Sequence, residues 1–204
     1  IHEVVEGREY KNLSPKFIYT RRVNYPTGGM WFQNALEIAV KSGSCLEESL
    51  PSDMTGESFM NDKTQETPSC EKEALEYKAK NYVALPIDID KIAEVMEQGY
   101  GVLLGFRFDY DEWNTYPSIH ADSKLACHHG VAGIDYMMIN GEKHISIDDS
   151  WGPHYGKGGV RFISEKFLNE RCTYAGYITS LVYEPQDEDF HYHWVRSMRF
   201  YGVH

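Results

Sequence analysis

The sequence predicts an α+β fold, on three observations. Residues 30–42 carry one apolar helical face. From residue 101 onward the chain breaks into short apolar runs of strand composition. Two of those runs meet at Asn140-Gly141, a pair that favours the positive φ angles of a tight hairpin turn.

The elements follow in order. Ile1, Val4 and Val5 read as the end of a helix that Gly7 stops. In Leu13-Ser14-Pro15-Lys16-Phe17, Ser14 is placed as an N-cap and Pro15 at the first helical position. Pro26-Thr27-Gly28-Gly29 is a turn. Trp31, Ala35, Ile38 and Ala39 share one face of the 30–42 helix, and Gly43 ends it. Residues 44–80 are rich in Ser, Glu, Asp, Thr and Lys and read as a long surface excursion with a helix near 71–79. Asp88 or Asp90 caps a helix bearing Ile92, Ala93 and Met96, stopped near Gly99. Strands are expected at 101–108, 130–139, 144–149, 158–163 and 174–183, and Ser164 caps a short helix through Leu168. The expectation is a single domain over 1–204: a helical part and surface loop (1–80), a strand-rich part (81–183) and a C-terminal extension (184–204).

Composition narrows the function. Hydrophobic residues make up 42% of the 204, enough for a sizeable core. The net charge of −11 argues against nucleic acid and against an anionic membrane surface, both of which attract basic footprints. No apolar run reaches the ~20 residues of a membrane span, so a soluble chain is expected. Fifteen tyrosines and four tryptophans suit clefts or interfaces lined by amphipathic rings. The chain starts at Ile1 with no signal-peptide pattern, which fits a late start or a cut from a longer precursor.

Chemistry concentrates at Cys127-His128-His129-Gly130 and at Asp149-Ser150-Trp151-Gly152. The hairpin pairs the strand after His129 with the one ending at Asp149. A carboxylate there can accept from one ring nitrogen and fix the tautomer, with Trp151 shielding the bond from water. The four cysteines (45, 70, 127, 172) lack CxxC spacing, which argues against a structural zinc site. Cys45 and Cys70 flank the polar excursion and are either a disulfide or free. Cys127 reads as a buried thiol. His191, His193 and His204 suggest a third-ligand-free, solvated tail, so no metal and no cofactor are expected.

These residues, taken together, resemble the papain-like cysteine peptidases. His129 before Gly-Val-Ala, then Asp149-Ser150-Trp151-Gly152, Tyr155-Gly156 and Gly158-Gly159-Val160-Arg161-Phe162 parallel the family's His strand, its Asn-Ser-Trp-Gly, its Trp-Gly and its Gly-Tyr-x-Arg strand. Leu13-Ser14 resembles the family's Leu-Ser segment, and Gly28-Gly29 its Gly-Gly pair. The resemblance spans roughly residues 10–183. It implies a papain-like two-lobe fold, with an incomplete helical left lobe and an antiparallel β-barrel-like right lobe, and a polypeptide substrate.

By the same resemblance, His129 is the general base and Asp149 stands where the family has the orienting Asn. Gly28 and Gly29 offer backbone to an extended peptide, Met30 and Val131 wall the pocket for its second side chain, and Trp151 covers the His–Asp pair. Pro26 replaces a family cysteine, which removes that disulfide. The family's nucleophile precedes its histidine by about 130–150 residues, which places it upstream of Ile1. Cys45 is a decoy: Leu46 follows it where the family has Trp, and it ends a helix rather than starting one. Cys127 lacks the family's attack geometry. Two further readings stay open: a non-catalytic structural or peptide-binding module in a larger assembly such as a virus or phage particle, and a transglutaminase-like or amidase-type acyl-transfer enzyme.

Overall fold

The computed structural model describes residues 10–52 and 56–181. The expected helix end at Ile1, Val4 and Val5, the extension at 184–204, and His191, His193 and His204 lie outside them. The described residues divide into two compact units, one of residues up to 82 with 178–181 and one of residues 83–177.

In the first unit, α1 spans Pro15–Tyr19, α2 Phe32–Lys41, α3 Glu57–Met60 and α4 Pro68–Ala74. Ser14 caps α1: its hydroxyl accepts from the Phe17 N–H at 3.3 Å and donates to the Leu50 carbonyl at 2.6 Å. The one side chain thus closes a helix start and ties in a strand of chain 36 residues away. Phe17, Cys45, Leu50, Cys70 and Ala74 form the local core.

Two expectations change here. Trp31 sits before α2 and is 72% exposed, whereas Leu36, Ile38 and Asn34 are buried. Asn34 is buried because its side-chain oxygen accepts the Val23 N–H at 3.0 Å. The helix expected near 71–79 begins earlier, with Thr67 as cap and Pro68 in its first turn. It tightens into a 3₁₀ turn at Leu75–Tyr77 and gives way to an unexpected strand, β1, Ala79–Ala84.

The second unit holds β2 Val102–Phe108, β3 Cys127–Ile139, β4 Glu142–Asp148, β5 Val160–Ser164, most of β6 Cys172–Leu181, and helices α5 Ile89–Glu97 and α6 Glu165–Arg171. The strands form one open sheet in the order β1-β6-β2-β3-β4-β5. β2–β3, β3–β4, β4–β5 and β2–β6 are antiparallel. Asn140 and Gly141 turn β3 into β4 with φ of 52° and 83°. Asp88 caps α5 by accepting from the Asp90 and Lys91 N–H groups. Ser164 caps α6, which runs on to Arg171 rather than ending at Leu168.

Alternate residues of β2 (Val102, Leu104, Phe106, Phe108) point into the core with Ile145, Ile147 and Ile163. Ile89, Ile92 and Val95 of α5 and Phe167 and Leu168 of α6 join that core. Met96 of α5 packs over Gly133: a Cβ there would lie 2.4 Å from Met96 Cε. The register of β3 against β4 shifts just after it.

Candidate active site

β3 begins at Cys127, three residues before the expected start, so His129 lies within the strand and opposite Phe106 of β2. β4 ends opposite Ala132, and the Asp149 N–H then donates to the Gly159 carbonyl at 2.9 Å. The hairpin therefore brings the carboxylate back beside the imidazole. His129 Nε2 lies 2.9 Å from Asp149 Oδ1.

Asp149 is almost entirely buried and heavily partnered. Oδ1 also accepts the Trp151 N–H at 3.1 Å, a local turn that folds Asp-Ser-Trp-Gly onto its own side chain. Oδ2 accepts the Trp113 indole N–H at 2.9 Å and Arg161 Nε at 2.5 Å. Burial pushes this carboxyl up, but hydrogen bonds from Arg161, His129, Trp113 and the Trp151 N–H outweigh it and hold the group below the usual carboxylate range. An ionised carboxylate only accepts, so Nε2 carries a proton, and in the neutral ring Nδ1 is then the bare nitrogen. Among the described residues nothing bonds Nδ1.

Two indoles frame the ring. Trp151 lies 5.2 Å from His129 between centroids, and Trp113 meets it edge-on at 5.8 Å. Tyr110 stacks on Trp151 at 5.6 Å and is more than half exposed. Val131, two residues along β3, is buried in the core among the neighbours of Leu104.

Gly28, Gly29 and Met30 belong to the first unit. Arg22, its side chain fully buried, holds the segment before them. Its guanidinium donates to the carbonyls of Tyr19, Pro26 and Thr27 and to Asn61 Oδ1. The Gly29 N–H donates to the Tyr19 hydroxyl at 3.0 Å, and Asn24 Nδ2 donates to the carbonyls of Gly28 and Gly29.

All four cysteines are free, so Cys45 and Cys70 are buried neighbours without a disulfide. Burial pushes the Cys45 thiol up to about 12 and the Cys172 thiol to about 11. Neither is a thiolate near neutral pH. Cys127 is half-buried rather than buried and packs against the core of the second unit. Among the described residues no group of three or more His, Cys, Asp or Glu is placed to hold a metal ion. No helix among them is long and apolar enough to cross a membrane.

Sequence reasoning gave no role to Trp113 and Arg161. Arg161 had a signal: a cation flanked by Val160 and Phe162 in a buried strand needs a counter-charge. Trp113 had none, because it reaches Asp149 from the end of a 3₁₀ turn at Tyr110–Glu112, 36 residues away.

The α+β fold agrees with the comparisons. The model of the papain family cysteine proteases matches residues 12–181, and the chain belongs to that family. Three solved structures share the fold. Xylellain, a cysteine protease from Xylella fastidiosa, is 20% identical with a TM-score of 0.75, over 88% of this chain and 74% of that one. Digestive procathepsin L 3 of Tenebrio molitor larval midgut is 20% identical with a TM-score of 0.65, over 87% and 58%. Bromelain from Ananas comosus, in complex with the E64 inhibitor, is 16% identical with a TM-score of 0.67, over 88% and 83%. No curated protein matches the sequence.

Proposed function

We propose that this chain is the base-bearing part of a papain-family cysteine peptidase, with His129 as general base, Asp149 as its orienting group and a cysteine supplied from upstream of residue 1. The observation that carries the reading is the His129–Asp149 bond through Nε2, which leaves Nδ1 bare to take a thiol proton. The family spacing and the burial of Cys45, Cys70 and Cys172 support the upstream position; Cys127 is half-buried.

In the reaction, Nδ1 accepts the thiol proton and the thiolate attacks the peptide carbonyl. The amine then leaves with the proton from the imidazolium, giving a thioester. Water, losing its proton to Nδ1, hydrolyses the thioester and restores the thiol. On resemblance alone, Gly28 and Gly29 are assigned to the peptide backbone, Met30 and Val131 to the pocket for its second side chain, and Trp151 to covering the His129–Asp149 pair; the burial of Val131 leaves it no more than the floor of that pocket.

The test is an epoxide-type thiol probe on the full gene product, with the labelled residue located by mass spectrometry. Labelling of an upstream cysteine, and loss of peptide hydrolysis in H129Q, are expected. Labelling confined to the four cysteines of this chain, or hydrolysis unchanged in H129Q, rejects the assignment.

A second reading, a non-catalytic module that binds peptide or sits in a larger assembly, has one observation in its favour. The Gly29 N–H and the Gly28 and Gly29 carbonyls already have partners in Tyr19 and Asn24. A peptide strand must take the Gly29 N–H away from Tyr19 to pair there, while the two carbonyls can accept a second bond. Under this reading H129A leaves binding or assembly untouched and there is no proteolysis to lose.

A further inference from the structure

Asp149 holds two different neighbours on its two oxygens. His129 Nε2 is on Oδ1, and Arg161 Nε, from β5, is on Oδ2 at 2.5 Å. The Asp149 side chain is fully buried and that of Arg161 is 2% exposed. Arg161 Nη1 donates to the Trp113 carbonyl at 2.8 Å, and the Trp151 and Trp113 rings lie 5.3 and 5.5 Å from its guanidinium carbon. Its Nη2 is buried with no hydrogen-bond partner among the described residues. Nη2 carries two N–H donors, and the full counter-charge on Nε offsets their burial without an acceptor.

We propose that Arg161 is a positioning residue that keeps Asp149 ionised and so fixes His129 as the tautomer with its proton on Nε2. This rests on the reading of His129 as the base. A carboxyl group differs from the family's amide in one respect that matters here: it can take up a proton and become a donor. A protonated Asp149 would donate to Nε2 and drive the ring proton to Nδ1, the nitrogen that must accept from the thiol. Burial favours that neutral form. Arg161 opposes it from the oxygen that His129 does not use. The acid and the cation together present the ring with the same acceptor and the same net charge as an amide.

The other titratable groups near the ring do not bond Asp149: Tyr110 and Tyr155 pack on Trp151, and Cys127 lies two residues before His129 on the same strand face. His128 and Arg107, one residue from His129 and Phe106, point to the opposite face of the sheet. Glu112 is already paired with Arg171.

The test compares R161M, R161K and D149N/R161M with the wild type in the full gene product. Ring ¹⁵N shifts of His129 report the tautomer without any need for catalysis. Wild type and R161K are expected with the proton on Nε2, and R161M with the proton wholly or partly on Nδ1. In D149N/R161M the amide carbonyl accepts at every pH, so the Nε2 tautomer returns. In kinetics, R161M is expected to lose about 10–100-fold in kcat with KM little changed, and the acid limb of its pH profile moves up by about one unit. The double variant recovers most of that loss.

A wild-type tautomer and pH profile in R161M overturn the proposal, as does a double variant no better than R161M. If R161M fails to fold, a folded D149N/R161M supports the charge pairing, and an unfolded one shows that Arg161 acts by packing and overturns it. A tautomer that responds in a protein with no peptidase activity keeps this inference and rejects the peptidase reading instead.

Discussion

Glu112 and Arg171 form a two-point ion pair across 59 residues of sequence, with Nε on Oε2 at 3.0 Å and Nη2 on Oε1 at 2.8 Å. Glu112 also accepts from the Ser123 hydroxyl and from the N–H groups of Asp109 and His120. Burial pushes this carboxyl up, but Arg171, Ser123 and the two amides overcome it and hold it far below the usual carboxylate range. The unfolded chain therefore binds a proton at higher pH than the folded one. The stability this group contributes is complete above the ordinary Glu range and declines as pH falls below about 4.5. E112Q should cost about 3–5 kcal/mol at pH 7, because it leaves Arg171 buried and unpaired. It should also flatten the acid dependence. Urea unfolding at pH 7 and pH 3 checks both, and equal acid slopes for the two proteins contradict the account.

Loss of Asp149 and loss of His129 should differ in stability. D149A strands Arg161 and removes an acceptor from Trp113 and from the Trp151 N–H, so about 3–5 kcal/mol is expected. H129A removes a partly exposed ring with one bond and should cost about 1–2 kcal/mol. Denaturant midpoints of the two variants measure the gap; a larger loss for H129A would contradict it.

Arg22 should control the order of the Gly28-Gly29 segment. Its five bonds to Tyr19, Pro26, Thr27 and Asn61 are made by a fully buried guanidinium. R22M is expected to cost about 2–4 kcal/mol and to raise amide exchange at Thr27–Gly29 before it does so in β3 and β4. Uniform exchange across both segments would mean that the network is not local.

The thiols supply a chemical check. With Cys45 pushed up to about 12 and Cys172 to about 11 by burial, their thiolate fraction at pH 8 is on the order of 0.1% or less. Iodoacetamide should leave both unmodified in the folded protein and label both in guanidinium chloride. Peptide mapping reads the result, and rapid native labelling of Cys45 would contradict its burial.

What was legible in the sequence was local. Ser14, Asp88 and Ser164 cap their helices through side chains acting within three residues, and Asn140-Gly141 needs only its own φ angles. The His129–Asp149 approach was legible because that turn fixes which strands pair. β1 was missed because its residues alternate poorly and only Ala79 is buried. Trp31 was misplaced because helical periodicity does not say where a helix begins, and α2 begins one residue later. Trp113 and Arg161 act on Asp149 from turns and strands whose meeting is a tertiary event.

Asp149 joins an imidazole, an indole, a guanidinium and a backbone amide through one side chain. Folding alone is enough to hold it against mutation. His129 makes one such bond and is free to drift once chemistry is no longer selected. In this chain the acid is therefore part of the framework, and the imidazole is the part that only chemistry requires.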